Sequence, residues 1–318
     1  LSLQAAMSTI GDYSAPDRLR DLVHLLTDGG RRSNRFENFA IQNINDFVRT
    51  VGFPRLRIFG FPSEKPYYVF MIESEEGQTP HIQVRTPSDG HDCNLLKEGL
   101  SAILQMLRSE LEKYGRFIIE SDTSVRKMML EIEKDGSFFA NVESNECFPF
   151  YMDEQQRKLC AQREIKTWGR FNVDTVRSDD EYQILHSYWH YNFTTPAELF
   201  RDRLKYLPSS CVRNEHGNLV AWEMMQSFGQ LTNLFTLEEE RGKGFGVLTE
   251  QTLAHKLAKN DLQVFKYVSI DNHSVVRGTK EHKLWSLWKS VKNGKESDTL
   301  EKDILWCFST FECKSEGK

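Results

Sequence analysis

The spacing of apolar residues divides the first half of the chain into short β-like runs and amphipathic helices. Residues 94–114 carry leucine and isoleucine at three-to-four spacing, which predicts a long helix. β-Prone runs separated by turn formers predict strands, at 55–61, 67–72, 81–84, 117–119 and 138–142. Further helices are predicted at 16–26, 36–51 and 125–132. The first half is therefore predicted to be an α+β unit.

The second half shows a different order of elements. Strands are predicted at 168–173, 210–213, 219–225, 231–237, 264–270 and 304–311. Helices are predicted at 180–190, 197–207, 247–258 and from 271 onwards. The segment 151–166 is polar and charged, so we place the boundary there and expect two domains, 1–155 and 156–318. A length of 318 residues also suits two cores better than one.

One strand-turn-helix stretch carries the strongest chemical signal. The predicted strand 231–237 is followed by three acidic residues and then by Arg-Gly-Lys-Gly-Phe-Gly, which opens directly into a helix. Glycine lets the backbone turn sharply and approach a ligand closely. A helix start offers N–H groups without partners and the positive end of the helix dipole. With Arg241 and Lys243 beside it, this turn predicts a cradle for a phosphate or pyrophosphate.

The spacing of this turn separates it from other phosphate-binding loops. It lacks the Gly-Lys-Ser/Thr ending of a P-loop and the Gly-x-Gly-x-x-Gly order of a dinucleotide site. The arrangement Arg-x-x-Gly-x-Gly resembles motif A of the GCN5-related N-acetyltransferase superfamily. The segments 207–212, 216–225 and 229–230 resemble the glycine N-acyltransferase family within it. The resemblance covers roughly residues 180 to 275 and implies a mixed α/β fold.

The resemblance implies a fold for each half. The second half is expected to have the acyl-coenzyme A N-acyltransferase fold. The order of elements in the first half resembles a degenerate copy of that fold, although no glycine-rich turn follows a strand there. A tandem duplication is therefore expected.

The resemblance also implies a cofactor site. In that superfamily the turn holds the pyrophosphate of an acyl-coenzyme A. The strand before it diverges from its neighbour and pairs with the pantetheine arm, while a backbone N–H takes the oxyanion. Carried over to this chain, the cofactor-binding residues are Phe235, Thr236, Leu237, Arg241, Gly242, Lys243, Gly244, Phe245, Gly246, Asn272 and Ser274. Asn272 also reads as a plain helix cap. No metal is expected.

The general base is where this sequence departs from the resembled family. A glutamate just before the central strand is the proposed base there, and Gln230 stands at that position here. An amide does not accept a proton near pH 7, but it can bind the amine or orient a water molecule. We expect Glu223 to act instead, directly or through water held by Gln230; a solvent-facing strand residue is the other interpretation. No tyrosine follows Tyr267, so solvent is expected to protonate the leaving thiolate.

Aromatic residues supply candidates for the acceptor pocket. Trp189, His190 and Tyr191 lie near the first helix of the second half, where the resembled superfamily builds its acceptor sites. Trp285 and Trp288 are three residues apart, which favours a place in the core, with the acceptor pocket as the alternative.

Composition limits the partners. A net charge of −5 indicates no affinity for nucleic acid or for an anionic membrane, so attraction for an anionic cofactor must be local. The six cysteines are scattered, as is typical of reduced thiols in an intracellular protein, and we expect a cytoplasmic rather than a mitochondrial place. The first residues lack a convincing signal core. The oligomeric state is not predicted.

Two functional hypotheses follow. The first is an enzyme that acylates a small amine, such as glycine or another amino acid, from a coenzyme A thioester. The second is a non-catalytic module that binds acyl-coenzyme A, suggested by Gln230 and by the missing tyrosine. A protein N-acetyltransferase is a third, weaker hypothesis.

Overall fold

The computed structural model describes residues 9–28, 56–74, 79–86, 92–165, 169–180, 183–184, 197–288 and 305–314. The strands in these ranges are β1 (Gly11–Asp12), β2 (Leu56–Phe61), β3 (Tyr68–Glu73), β4 (His81–Arg85), β5 (Arg116–Asp122), β6 (Phe139–Tyr151), β7 (Asn172–Asp174), β8 (Ser209–Arg213), β9 (Leu219–Met225), β10 (Leu231–Thr236), β11 (Phe265–Ser269), β12 (Ser286–Leu287) and β13 (Trp306–Cys313). The helices are α1 (Pro16–Asp28), α2 (Cys93–Tyr114), α3 (Thr123–Lys134), α4 (Glu154–Gln162), α5 (Ala197–Tyr206), α6 (Phe245–Lys259) and α7 (His273–Glu281).

All of these strands belong to one mixed sheet. Their order is β1-β2-β3-β4-β5-β13-β6-β11-β10-β9-β8-β7, with β12 paired to β6. The last strand along the chain, β13, therefore lies between β5 and β6 and joins the first half of the sheet. The expected mixed α/β fold is confirmed. The division at residue 155 stays a prediction, because this sheet runs through both parts.

The two halves repeat one topology. In the first half β2, β3 and β4 are antiparallel neighbours, and α2 then leads to β5, which is parallel to β4. In the second half β8, β9 and β10 are antiparallel neighbours, and α6 leads to β11, which is parallel to β10. This repeat agrees with the expectation of two copies of one fold.

Each copy has its own hydrophobic core. In the first half, α2 and α3 pack their apolar residues on Phe70, Val84, Phe117 and Ile119. In the second half, α6 buries Leu253, Ala254 and Leu257 against Phe265 and Val268. None of the described helices is long and apolar enough to span a bilayer.

Several predicted elements differ from the structure. The polar segment 151–166, where the domain boundary was predicted, contains α4. A capping box between Asp153 and Gln156 begins this helix, which buries Cys160 in the core around α6. Its mostly polar residues concealed this narrow apolar face. β6 continues nine residues past the predicted end at residue 142 to Tyr151, and β12 was missed. The helix predicted at 36–51 and most of the one at 180–190 lie outside the described residues.

Candidate functional site

The glycine-rich turn forms as predicted. After β10 the chain makes a short 3-10 turn over Glu238–Glu240, and Gly242 and Gly244 adopt left-handed φ values of 77° and 85°. Gly244 is the N-cap of α6 and supplies no side chain to cap it. The first N–H groups of α6 are therefore left to bind an anion, which the positive end of the helix dipole also attracts.

Beside this turn, β10 and β11 diverge. In the described chain the two parallel strands share a single register pair, Leu231 with Lys266. The pairing of β10 with β9 also shifts register between Thr232 and Phe235, where Asn233 has a positive φ of 61°. Beyond Leu231 the facing backbone groups of β10 and β11 are available to another extended chain.

The divergence opens a cleft of about 620 Å³. Its walls come from the end of β10, the first turns of α6, β11 and α7. Six predicted cofactor residues line it, namely Phe235, Thr236, Arg241, Gly246, Asn272 and Ser274. Leu234 and Val247 also line it, and their side chains are 36% and 56% exposed. The cleft thus offers both apolar surface and a helix start to a ligand.

The two basic residues of the turn are not equivalent. Arg241 donates from Nε to the Thr236 carbonyl at 3.2 Å and lies 5.7 Å from the Phe235 ring centroid. Lys243 pairs with Glu240 at 2.7 Å, so part of its charge is already balanced. Arg241 therefore contributes more of the positive charge that faces the cleft.

The remaining predicted cofactor residues shape the turn rather than line the cleft. Gly242, Lys243 and Gly244 form the bend itself, while Phe245 is buried with its ring 4.4 Å from that of Phe171. The Leu237 amide donates to the Val220 carbonyl at 2.9 Å, and its side chain packs into the core. Their roles in cofactor binding stay predictions.

Asn272 and Ser274 meet at the start of α7. The Asn272 side chain accepts a hydrogen bond from the Val275 amide at 3.4 Å, and the Ser274 hydroxyl donates to Asn272 at 3.3 Å. Both residues line the cleft. Asn272 therefore caps α7 and also lines the cleft, and its role in cofactor binding stays a prediction.

A buried charge cluster lies at the inner end of the cleft. Lys266 on β11 pairs with Glu250 on α6, and the Trp285 indole N–H donates to Glu250 at 3.0 Å. The Lys266 ammonium lies 4.5 Å from the Trp285 ring centroid. Trp285 thus contacts the cleft as well as the core. Trp288 is buried, and the predicted aromatic cluster Trp189, His190 and Tyr191 lies outside the described residues.

Glu223 belongs to this charge cluster and is not exposed to solvent. It is 2% exposed on β9, so its interpretation as a solvent-facing residue is wrong. Burial raises the pKa of Glu223 well above its usual value, the charge of Glu250 raises it further, and Lys266 lowers it. One carboxyl oxygen, Oε2, has no hydrogen-bond partner in the described part of the chain.

Gln230 lies in a separate cluster. Its Nε2 donates to Glu120 Oε2 at 2.8 Å and to Gln226 Oε1 at 2.6 Å. Gln226 and Gln83 donate to the same Glu120 carboxylate, each at 3.1 Å. The structure thus does not bring Glu223 and Gln230 together. The catalytic roles of both stay predictions.

Several residues of the site were missed from the sequence. Glu250, Gln251 and His282 line the cleft, as does Lys266. Burial lowers the pKa of His282, which also contacts Gln251 at 3.1 Å. A lysine inside the apolar run Val-Phe-Lys-Tyr-Val was a visible signal, because a charge in a buried strand needs a partner. Glu250 stands four residues after Gly246, on the same helix face.

Sequence matches to known proteins cover only part of this chain, whereas fold matches cover nearly its whole length. The family model described as FR47-like protein matches residues 211–277. Glycine N-acyltransferase of Pongo abelii is 25% identical over 116 residues, 34% of this chain. That match spans 39% of the relative's own length.

Two solved structures share the fold. A Drosophila protein has a TM-score of 0.73 at 12% identity, with 97% of this chain and 99% of that chain covered. A tandem GNAT protein from the clavulanic acid biosynthesis pathway has a TM-score of 0.54 at 11% identity, with the same coverage. The family model covers the β8-to-α7 region that builds the cleft, and the fold match covers both halves. This chain therefore has the fold of a solved tandem GNAT protein, and one part of it matches the FR47-like family model.

Proposed function

We propose that this protein is an acyl-coenzyme A-dependent N-acyltransferase. It transfers an acyl group from the thioester to a small amine, with glycine or another amino acid as the acceptor. The proposal rests on one observation, namely that two features suited to coenzyme A lie in the same cleft. The uncapped start of α6 offers an anion site, and the diverging strands β10 and β11 offer a slot for an extended chain.

Each wall of the cleft has a separate task in this proposal. Backbone N–H groups at the start of α6, with Arg241, bind the pyrophosphate. The unpaired edge of β10 from Thr232 to Thr236 binds the pantetheine amides, and a β10 backbone N–H stabilises the oxyanion of the tetrahedral intermediate. Leu234 and Val247 cover the apolar parts of the arm. Held in this way, the thioester carbon lies between β10 and β11 for attack by the amine.

The test is thiol release. The protein is incubated with acetyl-, benzoyl- and longer acyl-coenzyme A thioesters and a panel of amines, and free thiol is followed with a chromogenic reagent. The proposal expects amine-dependent release together with the N-acyl product by mass spectrometry. Firm coenzyme A binding without release for any pair would instead favour a non-catalytic acyl-coenzyme A-binding protein.

A further inference from the structure

Among the described residues, Arg85 on β4 is a buried cation without an anionic partner. It is 4% exposed, and no carboxylate among the described residues pairs with it. Its Nη1 donates to the Tyr267 hydroxyl at 3.3 Å, and the guanidinium lies 5.1 Å from the Trp306 ring centroid and 5.5 Å from that of Phe265. Its Nε has no hydrogen-bond partner in the part of the chain that the structure describes. Such burial is costly unless an anion completes the site.

A second group of unpaired atoms surrounds the Glu120 carboxylate. A carboxylate only accepts hydrogen bonds, so Gln83, Gln226 and Gln230 must turn their Nε2 atoms towards it. This orientation leaves Gln83 Oε1 and Gln230 Oε1 without hydrogen-bond partners among the described residues, although both side chains are buried. Two orphan acceptors beside one carboxylate match the three donors of an ammonium group.

These groups share one face of the first half's sheet. Gln83 is the register partner of Glu120, and Arg85 follows Gln83 by two residues on β4. Ile82 and Val84 point the other way, into the core with α2. Because side chains alternate along a strand, Gln83, Arg85 and Glu120 lie on the face away from α2.

The same groups reach both strands that bound the cleft. Gln230 directly precedes Leu231, where β10 last pairs with β11. Tyr267, the partner of Arg85, lies on β11 itself. Gln226 and Gln230 flank the turn between β9 and β10, in which Gly229 has a φ of 92°. The first half therefore presents its polar face to the place where β10 and β11 begin to diverge.

We propose that this face of β4 and β5 is the acceptor site, where Arg85 binds the anionic group and Glu120, with Gln83 and Gln230, binds the ammonium and takes its proton. The ligand class is an amine that also carries an anionic group, such as an α-amino acid. The proposal rests on the N-acyltransferase function, which it makes specific. Glu120 is fully buried, so a ligand can reach it only if side chains around it move.

Acyl transfer from the thioester to an ammonium group releases two protons. The nitrogen forms a bond to the thioester carbon, the carbon–sulfur bond breaks, and the ammonium gives up two protons. Glu120 takes one and passes it to solvent, and the other ends on the coenzyme A thiol. Burial raises the pKa of Glu120 to about 7, while the hydrogen bonds from Gln226 and Gln83 and the charge of Arg203 lower it. A base with this pKa is suited to neutral pH.

The other titratable groups around Glu120 are less suited than Glu120 to act as the base. His81 on β4 is 3.7 Å from the carboxylate, but burial and the charge of Arg203 lower its pKa to about 3, so it is neutral. Arg203 on α5 is paired with Glu73 on β3 at 2.7 Å. Cys147 on β6 is a neutral thiol whose pKa is raised by burial.

The experiment compares glycine with glycinamide, which lacks the carboxylate, as acceptors for acetyl-coenzyme A. Arg85→Met should raise KM for glycine at least tenfold and leave KM for glycinamide unchanged. Arg116→Met, at an exposed arginine on β5 paired with Glu312, is the matched control and should change neither. Glu120→Gln should lower kcat for both acceptors and remove the rise in kcat between pH 6 and 8. Circular dichroism checks that each variant folds.

Equal effects of Arg85→Met on both acceptors would show a structural role and overturn the proposal. Loss of the pH dependence in Glu223→Gln rather than in Glu120→Gln would move the base to Glu223 and also overturn it. If wild type releases no thiol, the N-acyltransferase function fails, and glycine binding is then measured by thermal shift. Stabilisation by glycine that Arg85→Met removes would support the site, and no stabilisation of wild type would overturn it.

Discussion

Both halves contain the same strand-helix-strand unit, but the two parallel strands stay paired in the first half and separate in the second. In the first half, β4 and β5 pair in parallel at three positions, from His81 with Ile118 to Gln83 with Glu120. In the second half, β10 and β11 pair at one position in the described chain and then separate. The first unit is closed and filled with side chains, whereas the second is open and forms a cleft.

The N-terminal ends of α2 and α6 show the same difference, because the first is closed by its own cap and the second is open. Asp92 caps α2, and its carboxylate accepts hydrogen bonds from the amides of Asn94 at 3.1 Å and Leu95 at 3.0 Å. Gly244 occupies the same position in α6 and offers no side chain. An aspartate cap satisfies the helix itself and repels an anion, while a glycine cap leaves both the N–H groups and the dipole to a ligand. The residue at the N-cap thus separates a helix start that is satisfied internally from one that is available to an anion.

We expect the largest effect, a loss of coenzyme A affinity, when α6 is given the aspartate N-cap of α2. Gly244→Asp places a carboxylate where the pyrophosphate is expected to bind, so the helix start is satisfied internally. We expect coenzyme A affinity to fall about a thousandfold, since several charge-assisted hydrogen bonds are lost. Titration calorimetry measures it. Gly136→Asp, at another left-handed glycine with φ of 93° after α3, carries similar backbone strain and should leave binding intact. If Gly244→Asp binds coenzyme A with wild-type affinity, the proposed difference between the N-caps of α2 and α6 is wrong.

The second prediction concerns the buried carboxylate of the closed half. Because burial raises the pKa of Glu120 from its ordinary value of 4.5 to about 7, the folded state holds the proton more tightly. Its contribution to stability is complete below pH 4.5 and is lost as pH rises through 7, to a total of about 3 kcal/mol. Glu120→Gln should remove this slope. Urea unfolding of both proteins at pH 5 and 7.5 measures it, and parallel pH dependences would show that Glu120 is not the group responsible.

The smallest effect is expected at the basic residues of the open turn. Arg241→Ala should weaken coenzyme A binding about tenfold, as expected for one partly exposed charge-assisted contact. Lys243→Ala should weaken it less, because Glu240 already pairs with Lys243. Both losses should shrink at high salt. A larger loss for Lys243→Ala would show that its pair with Glu240 breaks when the cofactor binds.

The sequence predicted the open half better than the closed one. Glycine spacing, apolar periodicity and adjacent charges are local signals, and they located β10, the turn and the start of α6 within a few residues. Glu120 was not predicted, because its contact with Gln230 joins residues 110 positions apart. No periodicity shows which strand of one half faces a turn of the other. Glu223 was nominated as a base, but only the structure shows that it is buried with Glu250 and Lys266.

The most direct test of the difference between the two halves is a crystal structure with bound coenzyme A. We expect pyrophosphate oxygens within hydrogen-bond distance of the backbone amides at the start of α6, and the pantetheine arm between β10 and β11. The start of α2, capped by Asp92, should carry no ligand. Coenzyme A bound between β4 and β5, or away from the cleft beside Gly244, would contradict the assignment of the open half as the donor site.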